Sequence, residues 1–260
     1  TVALVAVLVA LWRRRRDDEV LVQVLAACLA VLAALAWVRV EASVVVPLLA
    51  GFVVLTIAAE RVELARFHLP RTAGTTLLWL ATGLALAATW ALVAPGPGSR
   101  AFGVALLALV AWLAPRDVAR RTVRSTDLPR FSAVAMLAGY GWLTVAGVAW
   151  AVTGVPTTRA AHDLLVHTVF LGFAMSMVLA HAPVILPSVL RRPLPYRRVL
   201  WAPLVVLHAG LAVRVCGDLV GQTRLAQAGG VLTTVALLLL PLTAAASVAL
   251  PVRHPRSVPA

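Results

Sequence analysis

The sequence predicts an all-α fold, a polytopic bundle of about nine transmembrane helical segments, and three observations lead to it. Apolar residues make up 62% of the chain, charged residues only 13%, and the mean hydropathy is +0.95. A soluble domain has roughly a quarter of its residues charged. Apolar stretches of membrane-spanning length recur along the whole chain, and arginine-rich loops alternate with arginine-poor ones. The chain is therefore predicted to lie in a lipid bilayer.

The predicted segments follow one another with short connections. They begin near residues 1, 20, 43, 73, 101, 131, 162, 199 and 226. The first apolar run, "TVALVAVLVALW", has only 12 residues, which is too short to cross a bilayer. Its arginines follow the apolar run, whereas a signal peptide carries them before it. We expect this segment to be truncated, with further helices preceding residue 1.

The basic residues set the predicted orientation. All 23 are arginine, and alternate assignment of the loops places 18 on one side, 4 on the other and Arg214 inside a segment. Arginine-rich short loops stay cytoplasmic during insertion, so this split predicts a multi-pass protein of a bacterial inner membrane with a cytoplasmic C-terminus. It also explains the net charge of +13 without a nucleic-acid partner. The predicted cytoplasmic arginines are Arg13 to Arg16, Arg61, Arg66, Arg71, Arg116, Arg120, Arg121, Arg124, Arg130, Arg191, Arg192, Arg197, Arg198, Arg253 and Arg256.

Histidines divide the chain into regions of different character. Residues 1–114 form N-terminal transmembrane helices, 115–130 a basic cytoplasmic loop, 131–252 the histidine-bearing helices, and 253–260 a polar tail. Ionisable groups at membrane depth are costly and usually functional, so the site is predicted in residues 131–252. Cys28 and Cys216 lie on different segments, which indicates neither a disulfide framework nor an iron–sulfur site. Five of the six histidines follow the loop, namely His162, His167, His181, His208 and His254.

His181 and His208 are predicted to form one metal site. His167 and His181 share a helix face but lie roughly 21 Å apart, too far for a common ion. His208, on the next and antiparallel helix, matches His181 in depth within about one turn, as bis-histidine haem or a shared copper ion would require. The alternative is a hydrogen bond from each histidine to a carbonyl or to a neighbouring hydroxyl such as Ser176.

A second, outer layer is predicted around His167 and Arg214. Asp163 and Asp218 stand four residues from His167 and Arg214 respectively, where each carboxylate could orient its partner from the second shell. Arg214 could then anchor a haem propionate or another anion. The alternative is a structural ion pair with Asp163 or Asp218.

The run "AAHDLLVHTVFLGFAMSMVLAHAP", followed by a basic loop and "LHAGLAVRVCGDL", resembles the C-terminal half of NnrS-type proteins. The similarity covers about residues 130–250, and more remotely extends to the histidine-bearing helices of haem–copper oxidase catalytic subunits. It implies association with haem or copper and with nitric oxide stress or denitrification. The chain departs from the pattern after His181, where "APVILP" replaces a "GHTGR"-like turn.

Three classes of function are compatible with these patterns. The first is haem b or copper binding through intramembrane histidines, for redox chemistry or for sensing a small gas such as nitric oxide. The second is a proton-coupled or small-molecule transporter, which would use the same groups as a relay. The third is a structural subunit of a larger complex, with other membrane subunits as partners. Whether the chain is an enzyme stays open.

Overall fold

The computed structural model describes residues 1–191 and 196–249, and within them every regular element is helical. Arg192, Arg253, Arg256 and His254 lie outside the described residues, as does the predicted cytoplasmic tail 253–260. The helices are α1 (Val2–Arg14), α2 (Asp18–Ala36), α3 (Ala42–Ala65), α4 (Ala73–Val93), α5 (Pro95–Leu113), α6 (Ala119–Thr122), α7 (Asp127–Thr153), α8 (Arg159–His167), α9 (Met175–Leu190), α10 (Trp201–Leu219) and α11 (Thr223–Ala249). A π-helical segment, Thr168–Ala174, joins α8 to α9, and a 3₁₀ turn, Arg198–Leu200, precedes α10.

The predicted bundle of about nine segments is confirmed. Eight helical stretches in the described residues are long and apolar enough to cross a membrane, and the 13-residue α1 is not one of them. The chain is an integral membrane protein with several spans. One span is continuous through α8, the π segment and α9, and we call residues 159–190 the histidine helix.

Two helix starts show how local sequence sets the boundaries. The fifth segment, predicted from about residue 101, begins at Pro95, because the first turn of a helix tolerates proline. The histidine helix begins after Thr158, whose hydroxyl accepts a hydrogen bond from the amide of Ala161 at 3.1 Å. This cap satisfies one of the free amides of the first turn.

Glycines bring two helix pairs into close contact. On α5, a Cβ at Gly103 would collide with the Ala151 amide and lie 2.8 Å from the Trp150 Cβ of α7. The adjacent Phe102 meets Trp150 edge to face, with ring centroids 5.0 Å apart. Gly210 packs in the same way against the backbone of α11. Small residues allow such approaches, which drive helix association where lipid offers no hydrophobic gain.

Lipid-facing positions are apolar as well. Large side chains such as Trp79, Leu86, Val93 and Leu238 are exposed on the outer surface of the bundle. In water such a surface would cause aggregation, whereas a bilayer accommodates it. The prediction of a lipid bilayer as partner is therefore supported by the outer surface.

The α5–α7 contact can be tested with a pair of glycine substitutions. Gly103→Ala should destabilise the protein by roughly 1–3 kcal/mol, because the added methyl group overpacks a backbone contact. Gly83→Ala is the matched control, since a Cβ there meets nothing within 4 Å. It should leave stability unchanged or raise it slightly through helix propensity. Thermal unfolding in detergent measures both, and equal effects would contradict the packing argument.

Candidate functional site

A buried polar cluster joins three helices near one end of the bundle. We call Arg61, Asp117, Tyr140 and His181 the inner cluster. Arg61 of α3 donates two hydrogen bonds to the Asp117 carboxylate, from Nε at 2.9 Å and from Nη2 at 2.8 Å. Tyr140 of α7 donates its hydroxyl to the same carboxylate at 2.7 Å. The remaining guanidinium nitrogen, Nη1, lies 3.1 Å from Nε2 of His181 on α9.

Asp117 is the anion that balances this cluster. It lies in the connection after α5 and is only 5% exposed. Burial alone would raise the pKa of Asp117, but hydrogen bonds and charge from Arg61, with the Ala119 amide and the Tyr140 hydroxyl, hold that pKa below its ordinary value. A depressed pKa means that the carboxylate contributes fully to stability above the ordinary value of about 3.9 and loses this contribution as the pH falls below it.

The hydrogen bonds of His181 define its tautomer. Its Nδ1 lies 2.6 Å from the carbonyl oxygen of Met177, which can only accept, so Nδ1 carries the proton. Nε2 therefore accepts a hydrogen bond from Arg61. In this state the imidazole is neutral and both nitrogens are engaged.

The inner cluster forms the polar part of an apolar groove. The groove, of about 920 Å³, runs between α3 and α9, and Arg61 and His181 line it together with Glu60 and Glu63. Most of its other lining is aliphatic, and Leu64, Val184 and Ile185 are exposed on the lipid-facing surface. Apolar walls with a few convergent polar groups are typical of small-molecule sites.

His208 has different partners from His181. Its Nδ1 accepts a hydrogen bond from the Trp142 indole of α7 at 2.9 Å. The proton of its neutral ring is therefore on Nε2, which faces the Ser176 hydroxyl at 3.5 Å. The Ser176 hydroxyl in turn donates to the Gly172 carbonyl. This is the hydrogen-bonded arrangement considered as an alternative to metal ligation.

The structure gives His181 and His208 different hydrogen-bond partners, Arg61 of α3 for the first and Trp142 of α7 for the second. His208 approaches the histidine helix at Ser176, five residues before His181. Five residues correspond to a rotation of about 140° and a rise of about 7.5 Å, which turns His181 toward α3 instead. Depth along two antiparallel helices does not determine the direction in which a side chain points.

In the outer layer the structure shows the ion pair that was considered as the alternative, and cofactor binding by His167 and Arg214 stays a prediction. Arg214 of α10 contacts Asp163 of α8 through Nε at 2.6 Å and Nη2 at 2.8 Å. His167 places Nδ1 2.8 Å from the Asp163 carbonyl oxygen and 3.3 Å from its carboxylate. Asp218 lines the same cavity of about 440 Å³ as Asp163 and Arg214. Its Oδ2 is buried and accepts no hydrogen bond within the described residues.

Sequence reasoning missed Arg61, Asp117 and Tyr140. Arg61 was assigned to the arginines of a cytoplasmic loop, and Asp117 was treated as part of the basic loop 115–130. The residues that meet are separated by 56 and 120 positions, which no local pattern connects. One signal was present: Asp117 is the only carboxylate in the stretch "PRDVARRTVR".

Comparisons with known proteins give one match. The family model for a domain of unknown function, DUF8744, covers residues 1–249. The chain belongs to this family. No curated protein and no solved structure matches the chain. The DUF8744 match includes the residues of the inner cluster and of the outer layer. It also extends across residues 115–130, so the predicted division there does not coincide with a family boundary.

A metal ion requires several side-chain donors that converge on one point. Within the described residues, no three His, Cys, Asp or Glu side chains converge as an ion's ligands would. His208 presents N–H rather than a lone pair at Nε2, and Arg61 covers Nε2 of His181. The pair predicted as metal ligands does not fit that role in this conformation. His167 fits better, because Nδ1 donates to Asp163 and no hydrogen bond within the described part of the chain involves Nε2.

The buried ion pair between Arg61 and Asp117 leads to a prediction about the stability of the protein. Arg61→Met should cost roughly 3–5 kcal/mol, because it leaves a buried carboxylate without its cation. The double variant Arg61→Met/Asp117→Asn should recover part of that loss, since asparagine is neutral, its one amide oxygen can accept from the Ala119 amide, and its NH2 group can donate to the Tyr140 hydroxyl. Arg66→Met, at an exposed position on the same helix end, is the control and should be near neutral. Unfolding in detergent at pH 7 measures all three variants.

Equal destabilisation in the single and double variants would contradict this account. It would mean that the arginine stabilises the fold through the packing of its aliphatic stem rather than by neutralising Asp117.

Proposed function

We propose that the chain is a proton-coupled carrier of a small lipophilic cation, one whose charge is surrounded by apolar groups. His181 would be the group that couples protonation to binding. A single observation carries the proposal: His181 belongs both to the groove lining and to the buried Arg61–Asp117 cluster. A change in its protonation therefore acts on the groove and on the Arg61–His181 contact between α3 and α9 at once.

The charges of the groove support a cationic cargo. Arg61 is neutralised by Asp117, so Glu60 and Glu63 supply the net charge of the groove lining. Within the described residues no ion pair joins either glutamate to a basic group. Apolar walls would bind the body of the cargo and the two carboxylates its charge.

Coupling follows from the tautomer of His181. A second proton would occupy Nε2, which now accepts from Arg61, and two cations would then face each other. Asp117 holds Arg61 by two hydrogen bonds, so His181 is the side chain that would move. A positive His181 also opposes a cation in the groove, which links cargo binding to proton release.

The histidine helix has the backbone features that such movement requires. The π segment Thr168–Ala174 precedes α9, and α9 itself contains Pro183 and Pro187. Each interrupts the regular hydrogen-bond ladder, and π segments are frequent at functional sites.

Tetraphenylphosphonium is a suitable probe of this proposal. The purified protein in detergent should bind it about tenfold or more tightly at pH 8 than at pH 5.5, because a second proton on His181 would oppose the bound cation. His181→Gln should abolish the pH dependence while retaining binding at pH 8. Glu60→Gln/Glu63→Gln should weaken binding at both values. Equilibrium dialysis measures the dissociation constants.

His162→Gln is the matched control for the pH dependence, because it removes a histidine from the opposite end of the same helix. It should behave as the unmodified protein. Absence of binding at both pH values, or a pH dependence that survives His181→Gln, would rule out the proposed carrier.

Haem or copper binding is the second candidate function, favoured by His167. Its Nδ1 is held by Asp163 in the way that orients metal-bound histidines. Haem or copper, when bound, would supply redox chemistry or an affinity for a small gas such as nitric oxide. His167 would hold the group, while Arg214 is committed to Asp163.

An absorption spectrum and a copper assay separate the two candidates. Protein purified from cells supplied with haem and copper should show a Soret band or bound copper if this second function is correct, and His167→Ala should lose it. His162→Ala serves as the control. A colourless, copper-free protein that still binds tetraphenylphosphonium would leave the carrier as the remaining candidate function.

A further inference from the structure

A second cavity, separate from the groove, has a strongly basic lining. It measures about 580 Å³ and lies between the turn that follows α3 and the connection that follows α5. Guanidinium groups bind phosphate oxygens in forked, charge-assisted pairs, which makes a convergence of arginines a typical phosphate site. Its basic lining residues are His68, Arg116, Arg120, Arg121 and Arg124.

The positive charge of this cavity is not neutralised by the protein. Asp117 is the carboxylate among the lining residues, and Arg61 already occupies both of its oxygens. Within the described residues no ion pair involves Arg120, Arg121 or Arg124. Membrane topology accounts for arginines on this side of the bilayer, but it does not require them to surround one cavity.

The position of the cavity indicates which phosphate it meets. Its lining begins just beyond Ala65 at the end of α3 and Leu113 at the end of α5. Arg116 lies 5.2 Å above the ring of Trp112 in the last turn of α5 and donates to its carbonyl. Tryptophan at a helix end is typical of the level of lipid headgroups.

We propose that this cavity binds the phosphate-bearing headgroup of an anionic membrane phospholipid. Basic pockets between transmembrane helices on the cytoplasmic side recognise such headgroups. The acyl chains would lie along the apolar ends of the helices. This site is independent of the proposed carrier function, since no residue that lines the cavity also lines the groove.

The experiment titrates the full chain in detergent with short-chain phosphatidylglycerol, cardiolipin and phosphatidylcholine, and follows binding by native mass spectrometry. Both anionic lipids should bind about tenfold or more tightly than phosphatidylcholine. Arg120→Gln/Arg121→Gln/Arg124→Gln should remove that preference. Higher salt should weaken it, because exposed charges are screened.

The control variant is Arg13→Gln/Arg14→Gln/Arg15→Gln, which removes the same charge from an exposed arginine run on the same predicted side. It should change the affinity by less than about twofold. Equal losses in the two triple variants would mean non-specific attraction and would overturn the site, as would equal affinity for phosphatidylcholine.

Inorganic phosphate and pyrophosphate form the last arm of the experiment. They should bind much more weakly than the lipids, because they lack the chains that hold the headgroup at the membrane surface. Equal affinity would show a site for a soluble anion and overturn the lipid proposal. If the triple variant fails to fold, as judged by its unfolding temperature, Arg121→Gln alone should lower the lipid preference by a few fold.

Discussion

The Arg61–Asp117 ion pair is the interaction on which the rest of the inner cluster depends. Both partners are almost fully buried, and a charge at membrane depth is tolerated only when it is paired and hydrogen-bonded. Asp117 satisfies its oxygens with Arg61, Tyr140 and the Ala119 amide, which ties the connection after α5 to α3 and α7. Only Nη1 of Arg61 is left to reach His181, so the pair also determines where α9 meets α3.

The histidine helix carries polar groups at three depths, and each contacts a different part of the bundle. Asp163 pairs with Arg214 of α10, Ser176 lies beside His208, and His181 contacts Arg61 of α3. The π segment separates the outer contact from the other two. A shift in register across this segment would therefore change the inner contacts while leaving the Asp163–Arg214 pair in place.

Much of the fold could be predicted from the sequence, because hydropathy and arginine distribution are properties of each segment taken separately. The outer layer was predictable too, since Asp163 and His167 are four residues apart on one helix, and Arg214 lies at a matching depth. The rest required rotations about helix axes, which depend on packing such as that of Gly103 against α7. For this reason the hydrogen-bond partners of His181 and His208 differ from those that the sequence suggested, and the contact between Arg61 and His181 was not anticipated.

In the proposed carrier, the protonation state of His181 and the contents of the groove are thermodynamically linked. With a neutral imidazole the inner cluster carries no net charge, a low-cost arrangement in a medium of low dielectric. One added proton gives it a net positive charge, and the carboxylates of Glu60 and Glu63 in the groove lining could offset that charge. A cation in the groove competes for those same carboxylates. Because such coupling is reciprocal, whatever binds the glutamates must alter proton binding at His181 to the same extent.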